Sequence, residues 1–439
     1  MLAYRAGKPI LVRQFLADVS RTGAALGGGA HVLNVCADRY RFAVGLAAAL
    51  VSGKVSLLPS TRTPAVIAHL KTLAPDAVCL TDEDDCDVEL PLVRFNDRTA
   101  PPGGAGAAAA VPQIDAGRRA ALVFTSGSTG TPVPHEKTFG KLRECMLVAW
   151  ERLGLAPGVP HAIVATVPPQ HMYGLEASVL LPLASGNALS AERPFYPADI
   201  CAALAAVPRP RVLVTTPIHL RALVASGLAI PGTELVVSAT APLSAQLASV
   251  VEERGATRLL EIYGSTETGS IAVRRTTESE EWRLFPGVTL EPRASETWAH
   301  GAHVEQPTRL CDVIEVLRGG RFLLQGRVAD LVNIAGKRSS LAYLNHQLTS
   351  IPGVVDGAFF HADSGEGDAA VTRVGACVVA PGLDAAAIAA ELRRRIDPVF
   401  LPRPLLLVPS LPRTGTGKLP QEALRSLAAA AEQRASLAR

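Results

Sequence analysis

The segment that decides the fold runs Phe124-Thr125-Ser126-Gly127-Ser128-Thr129-Gly130-Thr131-Pro132, directly after a short apolar run that begins at Ala120. It holds five hydroxyl side chains and two glycines. Hydroxyl and backbone N–H groups donate hydrogen bonds to anions, and glycine lets the main chain approach phosphate oxygens closely. A strand that opens into such a loop predicts a phosphate-binding site, with a polar turn as the ordinary alternative. No Gly-Lys-Ser or Gly-Lys-Thr closes the segment, which excludes a Walker-type loop.

Outward from this loop, short apolar runs alternate with helical patterns along most of the chain. Continuous apolar runs at 30–35, 55–58, 120–124, 211–215 and 234–237 are typical of buried parallel strands. An alanine-rich helix is predicted at 41–51, and the Pro-, Gly- and Ala-rich stretch 101–110 is predicted to be a surface loop or linker. The predicted fold class is therefore α/β, with a large N-terminal domain of layered β-sheets and helices.

The pattern changes at Gly326-Arg327. Apolar residues then fall on one helical face near 341–351 and 388–396, and strand-like runs occur at 354–360, 374–379 and 405–408. This mixture indicates a small α+β domain. We therefore predict an N-terminal domain of residues 1–326 and a C-terminal domain of residues 327–439.

Composition narrows the classes of function. The chain has 439 residues, of which 48% are hydrophobic and 19% charged, and this balance excludes a mostly disordered chain. The 43 Lys and Arg residues against 40 Asp and Glu leave no basic field for nucleic acid. The longest near-apolar stretch, 42–51, is about half of the roughly 20 residues that cross a bilayer. We expect no membrane span, no secretory signal and a cytoplasmic location. The seven scattered cysteines contain no C-x-x-C and are expected to be reduced thiols.

Three further segments carry polar groups suited to a nucleotide. Thr266 and Glu267, in the run 261–269, follow a strand pattern and offer oxygen ligands to Mg²⁺. Asp312 and Arg327 can hydrogen-bond the two hydroxyls of a ribose. Lys418 ends a glycine-containing loop that begins at residue 411. Each segment taken singly has an ordinary alternative: a solvated loop, an ion pair and a solvated lysine.

Taken together and in this order, the four segments resemble the acyl-adenylate-forming superfamily, which contains acyl- and aryl-CoA synthetases, adenylation domains of peptide synthetases and luciferases. Residues 125–132 resemble its phosphate-binding loop, 263–267 its Y-G-x-T-E segment, 326–330 its G-R-x-x-D segment and 412–418 its P-x-T-x-x-G-K loop. Weaker similarities lie at 42–59, 168–175 and 238–243. The resemblance extends over residues 30 to 420.

The resemblance implies a reaction in two steps and a set of residues that perform it. A carboxylic acid and ATP would form an acyl-adenylate and pyrophosphate, and a thiol would then take the acyl group and release AMP. Catalysis would fall to Lys418, Glu267, Thr266 and His171, with Glu267 also binding Mg²⁺. The nucleotide would be bound by Thr125, Ser126, Gly127, Ser128, Thr129 and Gly130 at the phosphates, by Ser238, Ala239, Thr240, Tyr263 and Gly264 around adenine and the acid, and by Asp312 and Arg327 at the ribose.

The sequence departs from the family pattern at the phosphate loop. The usual P-K-G is replaced by Pro132-Val133-Pro134, so that a lysine is missing. Lys137 is the nearest residue that can supply its charge. The hinge between the two domains corresponds to Ala329.

The resemblance leaves the acid and its acceptor open. A pocket lined with polar side chains favours a hydroxylated aromatic acid, and the candidates for such side chains are His171, Tyr173, His219 and Thr240. An apolar groove would suit a fatty acid equally well. The expected partners are a small carboxylic acid and either CoA or the phosphopantetheine thiol of an acyl carrier protein, which arginines 393–395 and 403 can attract. The alternatives are a fatty-acyl-CoA synthetase, an adenylate-only ligase and a non-catalytic nucleotide-binding protein.

Overall fold

The computed structural model describes residues 1–59, 61–95, 111–126, 132–155, 158–294, 296–327, 331–334, 337–364, 371–414 and 419–437. The strands up to residue 205 are β1 (Ala3–Arg5), β2 (Lys8–Ile10), β3 (His31–Asn34), β4 (Val55–Leu58), β5 (Val78–Thr81), β6 (Leu92–Arg94), β7 (Arg119–Ser126), β8 (Pro132–Thr138), β9 (Ala162–Ala165) and β10 (Ala188–Ser190). The helices of this region are α1 (Val12–Ala25), α2 (Arg39–Val51), α3 (Pro64–Leu73), α4 (Phe139–Leu153), α5 (Met172–Leu175), α6 (Leu181–Ser185) and α7 (Pro197–Ala205). A π-helical turn, Glu176–Leu180, lies between α5 and α6.

The middle of the chain is mostly strand. Its strands are β11 (Arg211–Thr215), β12 (Leu235–Ser238), β13 (Arg258–Ser265), β14 (Gly269–Arg274), β15 (Trp282–Leu284), β16 (Thr289–Arg293), β17 (Glu296–His300), β18 (Thr308–Arg309), β19 (Asp312–Leu317) and β20 (Arg321–Arg327), and its helices are α8 (Pro217–Ala225) and α9 (Ala245–Gly255). The remaining elements are β21 (Leu331–Ile334), β22 (Lys337–Ser340), α10 (Leu341–Thr349), β23 (Asp356–Ser364), β24 (Val371–Val379), α11 (Ala385–Arg393), β25 (Leu405–Leu407) and α12 (Gln421–Leu437).

Two large sheets dominate the N-terminal part of the protein. One has the strand order β6-β5-β3-β4-β7-β8, and the other has the order β19-β20-β15-β14-β13-β12-β11-β9-β10-β1-β2. The strands from β10 to β13 in the second sheet pair in parallel, as do β5, β3, β4 and β7 in the first. Continuous apolar strands need cover on both faces, and the helices between them supply it. The predicted fold class is confirmed.

Local patterns in the sequence account for the first of these sheets. The predicted strands at 30–35 and 55–58 form β3 and β4, and the alanine-rich helix between them forms α2. Asp38 caps α2 by accepting a hydrogen bond from the backbone N–H of Arg41 at 3.0 Å. Gly53 follows with a φ of 74°, a conformation that favours glycine and ends the helix. The stretch 101–110 lies outside the described residues.

A buried guanidinium joins the two sheets. Arg39, at the start of α2, is fully buried, and burial lowers its pKa to about 9. Its guanidinium donates to the carbonyl of Ala165 at 2.7 Å, to that of Val167 at 3.1 and 3.3 Å, and to the hydroxyl of Ser178 at 3.1 Å. Ala165 ends β9 of the second sheet, whereas α2 follows β3 of the first. Arg39 therefore ties the helix of one sheet to the strand end of the other.

The C-terminal part packs around apolar cores of its own. The apolar cluster of Val332, Leu344, Phe359, Val374 and Ile388 contains only residues after 331. The predicted boundary at 326/327 falls at the last residue of β20, which still belongs to the second large sheet, and the boundary remains a prediction. The predicted hinge residue Ala329 lies outside the described residues. In the part of the chain that the structure describes, no helix is long and apolar enough to cross a membrane.

The contacts of Arg39 between the two sheets lead to a prediction about the stability of the folded protein. Replacing Arg39 by methionine would leave the carbonyls of Ala165 and Val167 buried without their donor, and we expect a loss of about 3 kcal/mol in the free energy of unfolding in urea. The matched control is Arg62→Met, which removes an exposed ion pair with Glu83 and should cost less than about 1 kcal/mol. Equal unfolding free energies for the two variants would contradict the assigned role of Arg39.

Candidate active site

The polar segments predicted to bind a nucleotide follow the carboxyl ends of neighbouring parallel strands. The strands β9, β11, β12 and β13 lie side by side with parallel register. β12 ends at Ser238, directly before Ala239 and Thr240, and the segment after β9 leads to His171. Ligands of open α/β sheets bind at this edge, because the loops that leave it carry side chains from several strands to one place. The structure therefore brings these residues to one edge of the second sheet.

Tyr263 and Asp312 are in direct contact. The Tyr263 hydroxyl donates to Asp312 Oδ2 at 2.7 Å, although 49 residues separate them. The antiparallel register of β19 and β20 also places Asp312 opposite the backbone of Arg327. The tyrosine ring packs against Trp282 and Phe322, with ring centroids 5.6 and 5.5 Å away. The predicted ribose-binding carboxylate is thus oriented by the residue predicted to flank adenine.

The segment after β12 has two unusual features. Ser238 is fully buried, and its hydroxyl has no hydrogen-bond partner among the described residues. Thr240 has a φ of 79°, which is rare for a β-branched residue and is found at strained ligand-binding positions. Both features suit a segment whose polar groups bind a ligand.

His171 precedes the short helix α5 as its N-cap residue. Gly174 and Tyr173, which follow His171 closely in the chain, explain how α5 is positioned. Gly174 lies so close to the carbonyl of Pro168 that a Cβ would approach that oxygen to 1.9 Å, so the position requires glycine. The Tyr173 hydroxyl donates to the carbonyl of Val237 at 2.9 Å. Through that bond Tyr173 fixes α5 to β12, and its expected place in the acid pocket remains a prediction.

Thr125, the first residue of the predicted phosphate loop, is connected through His135 to the turn that carries Glu267. Thr125 is near the end of β7, and its hydroxyl lies 2.9 Å from Nε2 of His135 on β8. The same Nε2 lies 3.7 Å from Glu267 Oε1. Burial lowers the pKa of His135, with the Glu267 carboxylate acting in the opposite direction. His135 therefore connects two predicted site residues that are 142 positions apart in the chain.

The turn between β13 and β14 keeps the Glu267 carboxylate available. Its side chain is 39% exposed. Within the turn, Ser265 and Thr268 exchange hydrogen bonds through their hydroxyls and backbone N–H groups at 3.2 Å. Gly264 is required where β13 pairs with β14, because a Cβ would come within 2.3 Å of the Gly269 carbonyl. Thr266 lies half-buried beside Glu267.

A single exposed carboxylate fits the cation expected here. Mg²⁺ that accompanies a nucleotide takes one or two protein carboxylates and completes its shell with phosphate oxygens and water. Among the described residues, no group of three or more His, Cys, Asp and Glu side chains is placed to hold a metal by itself. Glu267 is thus the residue that would hold a magnesium ion brought by ATP.

Two buried charged residues lie beneath this turn. Lys137, on β8, is 3% exposed, and Glu176, at the start of the π-helical turn, is 2% exposed. Burial lowers the pKa of Lys137 and raises the pKa of Glu176. π-Helical turns inside helices are frequent at functional sites. Lys137 is therefore not on the surface of the cleft, where a phosphate-binding lysine would lie.

Some predicted residues cannot be placed. Gly127, Ser128, Thr129, Gly130 and Lys418 lie outside the described residues. The structure describes only the main chain of Ser126 and Arg327. The roles predicted for all of these residues remain predictions.

Sequence reasoning missed several residues that the structure brings to the site. Glu176 could have been found, since it is the one charged residue in the otherwise apolar run 172–183. His135 and Trp282 gave no such signal, because their contacts arise from pairing between distant segments.

Comparison with known proteins agrees with this geometry. A model of the family described as AMP-binding enzyme matches residues 28–294, more than half of the chain. The 4-coumarate–CoA ligase of Rhodobacter capsulatus is 32% identical over 238 residues, which are 53% of this chain and 58% of that protein. The corresponding ligase of Halorhodospira halophila is 31% identical over 227 residues, which are 52% of this chain and 55% of that protein. The matched region thus spans little more than half the length of these relatives.

Solved structures share the fold over almost the whole chain. ATP-bound MatB from Rhodopseudomonas palustris has a TM-score of 0.80 at 20% identity, covering 97% of this chain and 95% of that one. The anthranilate CoA ligase AuaEII in complex with anthranoyl-AMP also has a TM-score of 0.80, at 16% identity, covering 99% and 95%. At these identities the likeness establishes the fold alone. Since the family model covers more than half of the chain, this protein belongs to the AMP-binding enzyme family, and the resemblance to acyl-adenylate-forming enzymes is confirmed.

Proposed function

We propose that this protein activates a small carboxylic acid with ATP as an acyl-adenylate and transfers the acyl group to a thiol. The observation that carries the proposal is the chain of contacts Thr125–His135–Glu267. It joins the end of the predicted phosphate loop to the carboxylate suited to Mg²⁺. The similarity to 4-coumarate–CoA ligases supports the same class of reaction.

The first step has an electrostatic difficulty. A carboxylate oxygen must attack the α-phosphorus of ATP, form an O–P bond and displace pyrophosphate, and both reactants are anions. Positive charge held where negative charge develops lowers this barrier. We assign that role to Lys418, while Glu267 would hold Mg²⁺, which neutralises phosphate charge when bound. Asp312, held by Tyr263, would accept hydrogen bonds from the ribose hydroxyls.

We assign the acid to the aryl class. The support for this class is the similarity to 4-coumarate–CoA ligases, whose named acid carries an aromatic ring. Near the strand ends, His219 is buried, and burial lowers its pKa and favours the neutral imidazole. Its Nδ1 lies 2.8 Å from the Thr216 hydroxyl, and its Nε2 has no partner among the described residues. An imidazole nitrogen with no partner among the described residues can form a hydrogen bond with a hydroxyl group on such a ring.

We propose CoA or a carrier-bound phosphopantetheine as the acceptor thiol. The arginines around α11 support a carrier protein, since acidic partners are steered by exposed positive charge. Arg394 is 78% exposed, and Arg393 and Arg403 are also exposed. Arg394 and Arg395 both pair with Glu391, at 3.0 and 3.3 Å, but Arg395 is less suited than the sequence suggested because only 29% of its side chain is exposed.

The acid class is tested by exchange of labelled pyrophosphate into ATP. We expect exchange that depends on added 4-coumarate or 4-hydroxybenzoate and is weak with straight-chain alkanoic acids of similar length, because an alkanoic acid offers no ring hydroxyl group to His219. The measurement is the initial rate of exchange for each acid at equal concentration. Faster exchange with alkanoic acids would assign the protein to fatty acids, and no exchange with any acid would refute activation by ATP.

Lys418 is tested in the same assay. We expect Lys418→Ala to slow acid-dependent exchange by about a hundredfold or more, the usual effect of deleting one preorganised electrostatic group. ATP binding, measured by calorimetry, should change little because most nucleotide contacts come from the N-terminal part. Lys71→Ala, on α3 and exposed, serves as the control. Exchange at the wild-type rate in Lys418→Ala would remove the assignment.

Docking of a carrier protein at the arginines around α11 is tested by reversing the charge of two of them. We expect the double variant Arg393→Glu, Arg394→Glu to load an acidic carrier protein more slowly at low salt while acyl transfer to CoA is unchanged, since steering acts on the association rate. The control reverses the same number of charges far from α11, in Arg21→Glu, Arg62→Glu. Equal loading by both double variants at low salt would exclude docking at α11.

A further inference from the structure

The turn that carries Thr266 and Glu267 is held at two points by the buried side chains beneath it. Lys137 comes from β8, the strand that leaves the predicted phosphate loop. Glu176 comes from the helical segment that begins just after His171. The two side chains thus join three segments that are remote in sequence.

Lys137 holds the main chain of Glu267 and not its carboxylate. Its ammonium group donates to the carbonyl oxygen of Glu267 at 2.9 Å. A buried ammonium is costly unless it is hydrogen-bonded and faces opposite charge. The carboxylates that face it belong to Glu176, Glu305 and Glu267. Because the bond is made to the carbonyl, Lys137 does not occupy the carboxylate of Glu267, which is partly exposed and lies 3.7 Å from His135.

Glu176 holds the other end of the turn. Its Oε2 accepts hydrogen bonds from the Ser270 hydroxyl at 2.6 Å and from the Ser270 N–H at 3.1 Å, and the Cys145 thiol donates to Oε1 at 3.4 Å. Gly269 makes this approach possible, since a Cβ there would come within 2.7 Å of Oε1. The main chain is therefore fixed at residue 267 by the amino group of Lys137 and at residue 270 by the carboxyl group of Glu176.

We propose that Lys137 is a positioning residue that aims the Glu267 carboxylate at the divalent cation accompanying ATP. It does not replace the lysine that the phosphate loop lacks. The inference rests on the proposed function, because it assigns Glu267 to that cation. The proposal predicts that replacing Lys137 weakens ATP binding only when a divalent cation is present. Replacing a lysine that contacts the phosphates would weaken ATP binding with or without the cation.

The experiment measures the affinity of the full-length protein for ATP by calorimetry, once with Mg²⁺ and once with EDTA. For Lys137→Met we expect a loss of about tenfold or more with Mg²⁺, the size of one charged hydrogen bond, and a loss of less than about twofold in EDTA. Mn²⁺ in place of Mg²⁺ adds a direct readout, since the electron paramagnetic resonance signal of free Mn²⁺ falls as the ion binds. Mn²⁺ binding in the presence of ATP should weaken by a similar factor.

The matched control is Lys141→Met. Lys141 lies on α4 and also donates to a main-chain carbonyl, that of Ala302, but it does not touch the 265–269 turn. We expect wild-type behaviour in both buffers. If Lys137→Met does not fold, Lys137→Arg is measured instead: a guanidinium keeps the charge but cannot sit at the same point, and the same dependence on the cation is expected.

Three results distinguish a positioning role of Lys137 from direct contact with the phosphates, from no role, and from failure of the proposed function itself. Equal losses with Mg²⁺ and with EDTA would overturn the proposal in favour of direct contact with the phosphates. No loss in either buffer would show that the turn does not need Lys137, and would also overturn it. Absence of acid-dependent pyrophosphate exchange in the wild type would refute the proposed function, whereas a cation-dependent loss of ATP affinity in Lys137→Met would still support the role of Lys137.

Discussion

The contact between the Arg39 guanidinium and the end of β9 is the constraint on which the site depends. Among the described strands, none is shared by the two large sheets, so their relative position depends on the contacts between them, which include a hydrogen bond from the Arg39 N–H to the Ala191 carbonyl at 2.8 Å. A fully buried guanidinium is tolerated only where acceptors surround it, and the carbonyls of Ala165 and Val167 are such acceptors. The segment that starts there leads to His171. Arg39 therefore ties the edge of the second sheet to the first sheet, in which Thr125 lies near the end of β7.

Charge at the site is distributed in an unusual way. The sequence has Pro-Val-Pro where relatives usually place a phosphate-binding lysine, and its nearby lysine is buried. Buried charges cost free energy, and they are retained when they fix a geometry that an apolar side chain cannot fix. Lys137 and Glu176 fit this pattern, since both bind the main chain of one turn. The His135 contact adds a third restraint from the side of the phosphate loop.

The fold does not decide the acid. MatB from Rhodopseudomonas palustris and the anthranilate CoA ligase AuaEII match this chain equally well, with TM-scores of 0.80, at 20% and 16% identity. One scaffold can serve different substrates because the shared strands place the loops, and the side chains on those loops select the ligand. In this chain, His219 follows β11 and has an imidazole nitrogen without a partner among the described residues, and its role toward the acid is part of the proposal.

The sequence alone determined the elements whose signals are local. Apolar runs predicted β3, β4, β7, β11 and β12, and the order of the polar segments predicted the family, because strand burial and motif spacing are written in neighbouring residues. Tertiary structure alone decided what the polar side chains contact. The bond from Tyr263 to Asp312, the bridge of His135 to Glu267 and the burial of Lys137 join positions dozens to more than a hundred residues apart. No local pattern encodes such pairs, since the first exists only after distant strands join one sheet and the others only after the two sheets pack against each other.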